Sequence, residues 1–110
     1  MELAIQICDN EFPVAAGAFR GSLAIERMER GELADARRLI AEGEPRLRGV
    51  HALELAKFLC RKARVDMAGG DAVTAQAALD EAEALAAEID AEGNSDFATA
   101  LAAAREALSD

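Results

Sequence analysis

No tryptophan or tyrosine occurs anywhere in this chain, and its aromatic surface is limited to four phenylalanines. Thick sheet sandwiches are filled by aromatic and β-branched side chains. Here hydrophobic residues make up 52% of 110 residues and many of them are alanine, which favours close-packed helices. Proline is scarce, with only Pro13 and Pro45 to interrupt them. The two cysteines, Cys8 and Cys60, are far apart and form no CxxC, which argues against a disulfide. They read as reduced thiols of a cytoplasmic protein. His51 is the single histidine. No HExxH, glycine-rich phosphate loop or Ser/Cys triad pattern accompanies it, so the expectation is a non-enzymatic chain without metal or cofactor. No run approaches the roughly 18 apolar residues that span a bilayer. The opening "MELAIQICDNEF" lacks the basic start of a signal peptide. Basic residues are the minority, 12 against 21 acidic, for a formal charge of −9. That balance opposes binding to nucleic acid or an anionic membrane.

What is present is helical periodicity broken by glycine. A short apolar leading helix is expected over residues 1–9, ending at the turn-forming Asp9-Asn10. Pro13 suits a first helical turn, and that helix runs to about Arg30, where Gly31 stops it. The next spans Glu32 to about Glu42, with Gly43 and Pro45 loosening the chain beyond it. Gly49 marks a joint before a helix from Val50 to Ala68, with His51 at its start. Gly69-Gly70 ends it, Asp71 caps the following helix, and that helix reaches about Ala91. Ser95 or Asn94 caps a last helix ending near Leu108. In "AGGDAVTAQAALDEAEALA", Ala72, Ala75, Leu79, Ala82, Ala86 and Ile89 form one stripe, and the carboxylates fall largely elsewhere as a solvated face.

The segment "LAIERMERGELADARRLIAEG" matches "KARVDMAGGDAVTAQAALDEA" at an offset of 39, taken from the positions of Gly31 and Gly70. Ala24 falls on Ala63, Met28 on Met67, Ala36 on Ala75 and Ile40 on Leu79. Small residues at such places let helix backbones approach closely, and each helix pair needs a neighbour to cover its apolar face.

The order Ala63, Gly70-Asp71, Ala75, Leu79, Ala82 resembles the tetratricopeptide repeat. Leu23-Ala24, Gly31-Glu32, Ala36, Ile40 and Gly43 repeat it, and Leu101-Ala102 within "SDFATALAAAREALSD" resembles the start of a third unit. The unit is longer than the family's usual one, and Arg27 and Asp66 stand where Tyr is common. In style it is similar to divergent repeats attached to bacterial signalling ATPases, nucleotide cyclases and kinases. The resemblance implies an all-α, right-handed stack of about five antiparallel helices forming a single domain. Unit 1 covers residues 13–43, unit 2 residues 50–92, and a closing helix residues 95–108.

It further implies a non-catalytic adaptor or signalling accessory that binds a peptide or helix in a concave groove. Lys57, Cys60, Arg61, Arg64 and Met67 would face that groove, with Ile25 and Met28 from the first unit adding an apolar floor. Some family members hold a peptide's terminal carboxylate at places matching Lys57 and Arg61. Ala18, Gly21, Ser22 and Ile25 stand at the first-unit places, so that clamp is incomplete here. The plainer reading of Lys57, Arg61 and Arg64 is a solvated basic strip, and of Cys60 a small buried hydrophobe. Phe12, Phe19, Phe58 and Phe97 read as core plugs. Gly69-Gly70-Asp71 is a poor anion site because Asp71 would repel the anion. Two other functions stay open: a structural homodimer joined through the raw ends of the stack, and a small-ligand sensor with a pocket near Cys60 and His51.

Overall fold

The computed structural model describes residues 13–109, and among these it contains five α-helices and no strand. They are α1 (Pro13–Glu29), α2 (Leu33–Leu47), α3 (Ala52–Ala68), α4 (Ala72–Glu88) and α5 (Ser95–Leu108). The leading helix expected over residues 1–9 lies outside the described residues.

Glycine ends α1 and α3 in the same way. Gly31 and Gly70 take φ of +80° and +83°, a region where a Cβ would be strained. Around each, two backbone bonds close the helix end. Gly31 N donates to Met28 O and Glu32 N to Arg27 O, at 3.0 and 2.8 Å. Gly70 N donates to Met67 O and Asp71 N to Asp66 O, at 3.0 and 2.9 Å. The chain reverses at both places, so α1–α2 and α3–α4 are helical hairpins. Asp71 then caps α4, its carboxylate accepting from Thr74 N at 3.1 Å and from Thr74 Oγ1 at 2.8 Å. Those bonds hold the Asp71 carboxyl below the usual range. Asn94 is the residue that caps α5, accepting from Phe97 N at 3.0 Å.

Three helix boundaries differ from the sequence reading. α2 does not loosen at Gly43; it continues through Pro45 to Leu47. Proline removes a donor and frees the carbonyl four residues earlier. Here that residue is Ala41, which is exposed, so water can satisfy the group. α3 starts at Ala52, because His51 serves as its cap. α4 stops at Glu88, where Asp90 adopts φ of 57° and Ala91 N bonds to Ala86 O.

Burial repeats at the 39-residue spacing. Ala36, Leu39, Ile40, Gly43 and Leu47 are the buried residues of α2; Ala75, Ala78, Leu79, Ala82 and Ala86 are those of α4. On the first helix of each hairpin, Ala16, Gly17, Arg20, Gly21 and Ala24 correspond to Leu55, Ala56, Leu59, Cys60 and Ala63, all buried. Arg20 is the exception in kind, a cation where the second hairpin has Leu59. Its aliphatic stem fills the apolar place, and the guanidinium, itself covered, is held within its own hairpin. Nη1 donates to Ala16 O at 3.3 Å, and Nε lies 3.5 Å from the Glu42 carboxylate.

Helix α3 is the centre of the assembly. It packs against α1, α2, α4 and α5, whereas the α1 and α2 backbones approach neither α4 nor α5. Phe58, fully buried on α3, lies against Gly21 of α1 and Gly43 of α2. At the far side, α5 rests on α3 and less extensively on α4, burying Phe97 and Ala104. Polar links also join the hairpins, among them Lys62 of α3 to Glu44 of α2 at 3.9 Å. Arg48, the cap of α2, makes a two-pronged bond to Glu81 at 2.7 and 3.0 Å, and Arg37 donates to Gly69 O at 3.2 Å.

Candidate functional site: the trough between α3 and α5

Helix α3 buries Leu55, Ala56, Leu59 and Ala63 on one side, which turns Lys57, Arg61 and Arg64 to another. The three meet α5 across a cleft of about 370 Å³ lined further by Asp96, Thr99, Ala100 and Ala103. A second cleft of about 470 Å³ is lined by Met28, Arg64, Met67, Ala68, Ala103, Glu106 and Ala107. Arg64 and Ala103 line both, so the two clefts form one trough that is basic along its first half and apolar, with two thioethers, along its second.

The cations in it are not equivalent. Lys57 Nζ is 2.7 Å from Glu54 Oε1, and both side chains are mostly covered. Its charge is therefore already answered from its own helix. Arg61 and Arg64 are part-exposed and have no ion pair or hydrogen bond among the described residues. Every other lysine and arginine has an acidic or carbonyl partner there. In a chain with 21 acidic residues that contrast is local and specific. Alanine at positions 100, 103 and 107 keeps the opposite wall low, which leaves the guanidiniums open to a ligand. Asp96 and Glu106 stand in the basic and apolar halves respectively, giving an acidic group toward each end.

The structure thus brings Lys57, Arg61, Arg64, Met28 and Met67 together. It separates the other two expected residues from the trough. Cys60 has no exposed surface and belongs to the core, because its place on α3 is the one Gly21 occupies on α1. Burial pushes its thiol up to about 11, so it is not a thiolate near neutral pH. Ile25 is part-buried against the core and lines neither cleft. The α5 contributors Asp96, Thr99, Ala103 and Glu106 were not anticipated. The signal for them was there: adding 39 to Lys57, Cys60, Arg64 and Met67 reaches those four positions.

His51 is the cap of α3, its Nδ1 accepting from Glu54 N at 3.2 Å. At the Gly69-Gly70-Asp71 turn, the Gly69 carbonyl is taken by Arg37 and the Asp71 carboxylate occupies the α4 amide an anion would need. A third cleft, of about 480 Å³, opens between α2, α3 and the start of α4 and includes Arg37, Glu44, Lys62, Asp66 and Asp71. Its charges largely answer one another, with Lys62 3.9 Å from Glu44 and 3.8 Å from Asp66. Burial raises the Asp66 carboxyl above its usual value. Among the described residues no cluster of three or more His, Cys, Asp or Glu is arranged to hold a metal, and no helix is long and apolar enough to cross a membrane.

Chemically, the trough offers permanent positive charge, soft apolar surface and low walls. Guanidinium groups attract carboxylates in paired geometry. No known protein family, curated protein or solved structure matches this chain.

Proposed function

We propose that the chain is a non-catalytic protein–protein interaction module, a tetratricopeptide-like stack that takes an acidic peptide or helix in the α3–α5 trough. The observation that carries this reading is the pair Arg61 and Arg64, the cations without a partner among the described residues, set side by side over alanines. The recurring burial at 39 residues and the glycine-closed hairpins support the repeat reading. Packing only between adjacent units is how helical repeats stack. Met28 and Met67 supply an adaptable apolar end for the same ligand. An adaptor or signalling accessory in the cytoplasm is the setting this chemistry fits.

The test is a panel of fluorescein-labelled peptides of graded charge, read by anisotropy at two salt concentrations. Acidic peptides should bind and basic ones should not, with affinity falling as salt rises. Arg61→Glu with Arg64→Glu should weaken binding by about tenfold or more, equivalent to ~1.4 kcal/mol. The melting temperature should barely move, since neither residue holds another. Lys57→Ala should matter less, because Glu54 already neutralises it. Binding that ignores both arginines would remove this assignment.

A further inference from the structure

Four charged side chains of the trough have no ion pair or side-chain hydrogen bond among the described residues: Arg61 and Arg64 on α3, Asp96 and Glu106 on α5. The two helices set their order along the groove. Asp96 is the 39-residue counterpart of Lys57 and lines the basic cleft with it; Glu106 is the counterpart of Met67 and lines the apolar cleft with it. In the frame of α3 the four charges fall at positions 57, 61, 64 and 67, as acid, base, base, acid. Lys57 does not change that order, because Glu54 already holds it at 2.7 Å. Nor does Arg105, the basic residue of α5, which is taken by Glu83 of α4 at 2.6 Å.

The spacing selects the form of a complementary ligand. At about 1.5 Å of rise per residue the four positions lie at about 0, 6, 10.5 and 15 Å along the groove. A ligand helix presents i, i+4, i+7 and i+11 on one face, at about 0, 6, 10.5 and 16.5 Å. An extended strand presents every second residue, at about 0, 7, 13 and 20 Å, and is out of step by the fourth. The α5 wall is alanine at positions 100, 103 and 107, low enough for a third helix to approach. Arg61 is steadied for that approach, since its stem lies against Gly21 of α1.

We propose that the occupant of the trough, taken as the protein-binding site assigned above, is an amphipathic helix of another protein that carries an acidic pair at i+4 and i+7 between basic residues at i and i+11. The acids meet Arg61 and Arg64 in charge-assisted pairs, and the flanking bases meet Asp96 and Glu106. Apolar residues at the Glu106 end of the same face meet Met28 and Met67. The two outer carboxylates thereby act on specificity: they weaken an uninterrupted acidic run that the arginines alone would accept.

Three hydrocarbon-stapled helical peptides test this, identical in their leucines and differing at the four places as Lys-Glu-Glu-Lys, Gln-Glu-Glu-Gln and Glu-Lys-Lys-Glu. Anisotropy with the full-length protein should rank the first above the second by about threefold to tenfold, for two exposed pairs. The third, equal to the first in net charge, should not bind measurably. In Asp96→Asn with Glu106→Gln the lysine advantage should vanish. In Glu88→Gln with Asp90→Asn, which removes the same charge from exposed residues at the end of α4, it should persist. No lysine advantage in the parent, or an equal one in both variants, overturns the assignment of the flanking carboxylates. Unchanged affinity in an unstapled Lys-Glu-Glu-Lys peptide with a central proline overturns the helical ligand. Both of those outcomes leave the trough itself standing. Binding of the Gln-Glu-Glu-Gln peptide that ignores Arg61→Glu with Arg64→Glu, or no binding of any of the three, removes the trough reading and this ligand with it.

Discussion

Replacing Gly43 with alanine should destabilise this protein, against the ordinary expectation for a helix interior. Glycine to alanine inside a helix gains about 1 kcal/mol from restricted unfolded-chain entropy and better propensity. Gly43 lies within α2, so that gain applies. The new methyl, however, would fall 2.6 Å from Phe58 Cε2 and 2.8 Å from Cζ, with Arg20 Cβ at 3.2 Å. Carbon atoms do not approach that closely, so the ring or the helix must move. Retreat is blocked, because Phe58 is fully buried and the Gly21 side of the ring is equally tight at 2.8 Å. Overpacking of a core typically costs about 1–3 kcal/mol, and a ring pinned from two helices belongs to the upper half of that range. Setting the propensity gain against it leaves a net loss of about 1–2 kcal/mol, or a fall in Tm of roughly 4–15 °C for a chain of this size. Thermal and urea unfolding followed by circular dichroism measure it. The cause is isolated by a double-mutant cycle with Phe58→Leu, in which the smaller side chain should recover about 1 kcal/mol of the alanine penalty. A Gly43→Ala protein as stable as the parent, with no coupling to position 58, would refute the wedge between α1 and α2.

Two further predictions follow from polar groups. Arg48→Ala should lower Tm at pH 7 by a few degrees, since exposed pairs are worth about 0–1 kcal/mol and the two-pronged geometry with Glu81 places this one high in that range. The Arg48 guanidinium holds the Glu81 carboxyl below its usual value. Its stabilisation is therefore complete above an unfolded pKa of about 4.3 and lost as pH falls through the lower folded one. Melts of parent and variant should converge in acid, and a gap that persists undiminished there would contradict the pairing. Cys60, buried and with its thiol raised to about 11, should resist alkylation at pH 8 in the native protein and react promptly in urea. Peptide mapping separates it from Cys8, and rapid native labelling at position 60 would contradict its burial.

The helices, their glycine stops and most of the core were legible because they rest on local chemistry. Gly31 and Gly70 announce positive φ, Asp71 announces a cap, and alanine at helical spacing announces a close crossing. What was not legible depended on which side of a residue faces solvent. Pro45 reads as a breaker from sequence alone, yet α2 continues because the carbonyl it frees sits on an exposed turn at Ala41. Nothing in the local pattern singles out Arg20, whose side chain takes a core place beside Glu42. In the trough, the basic spacing on α3 was visible, but the neutralisation of Lys57 by Glu54 and the partnering wall of α5 were tertiary facts. For Cys60 the register allowed the groove or the core, and packing against the neighbouring unit put it in the core.

The central position of α3 has a consequence for how the molecule comes apart. Because that helix touches every other described helix, its loss would dissolve the whole, while a peripheral element can fray alone. Helix α5, with Phe97 and Ala104 as its buried residues, is the loosest attached and should open first and most often. It is also one wall of the trough. Any ligand gripping both walls would thus clamp the least durable part of the protein to the most durable, and occupancy would register as slower fraying of the C-terminal end long before it raised global stability.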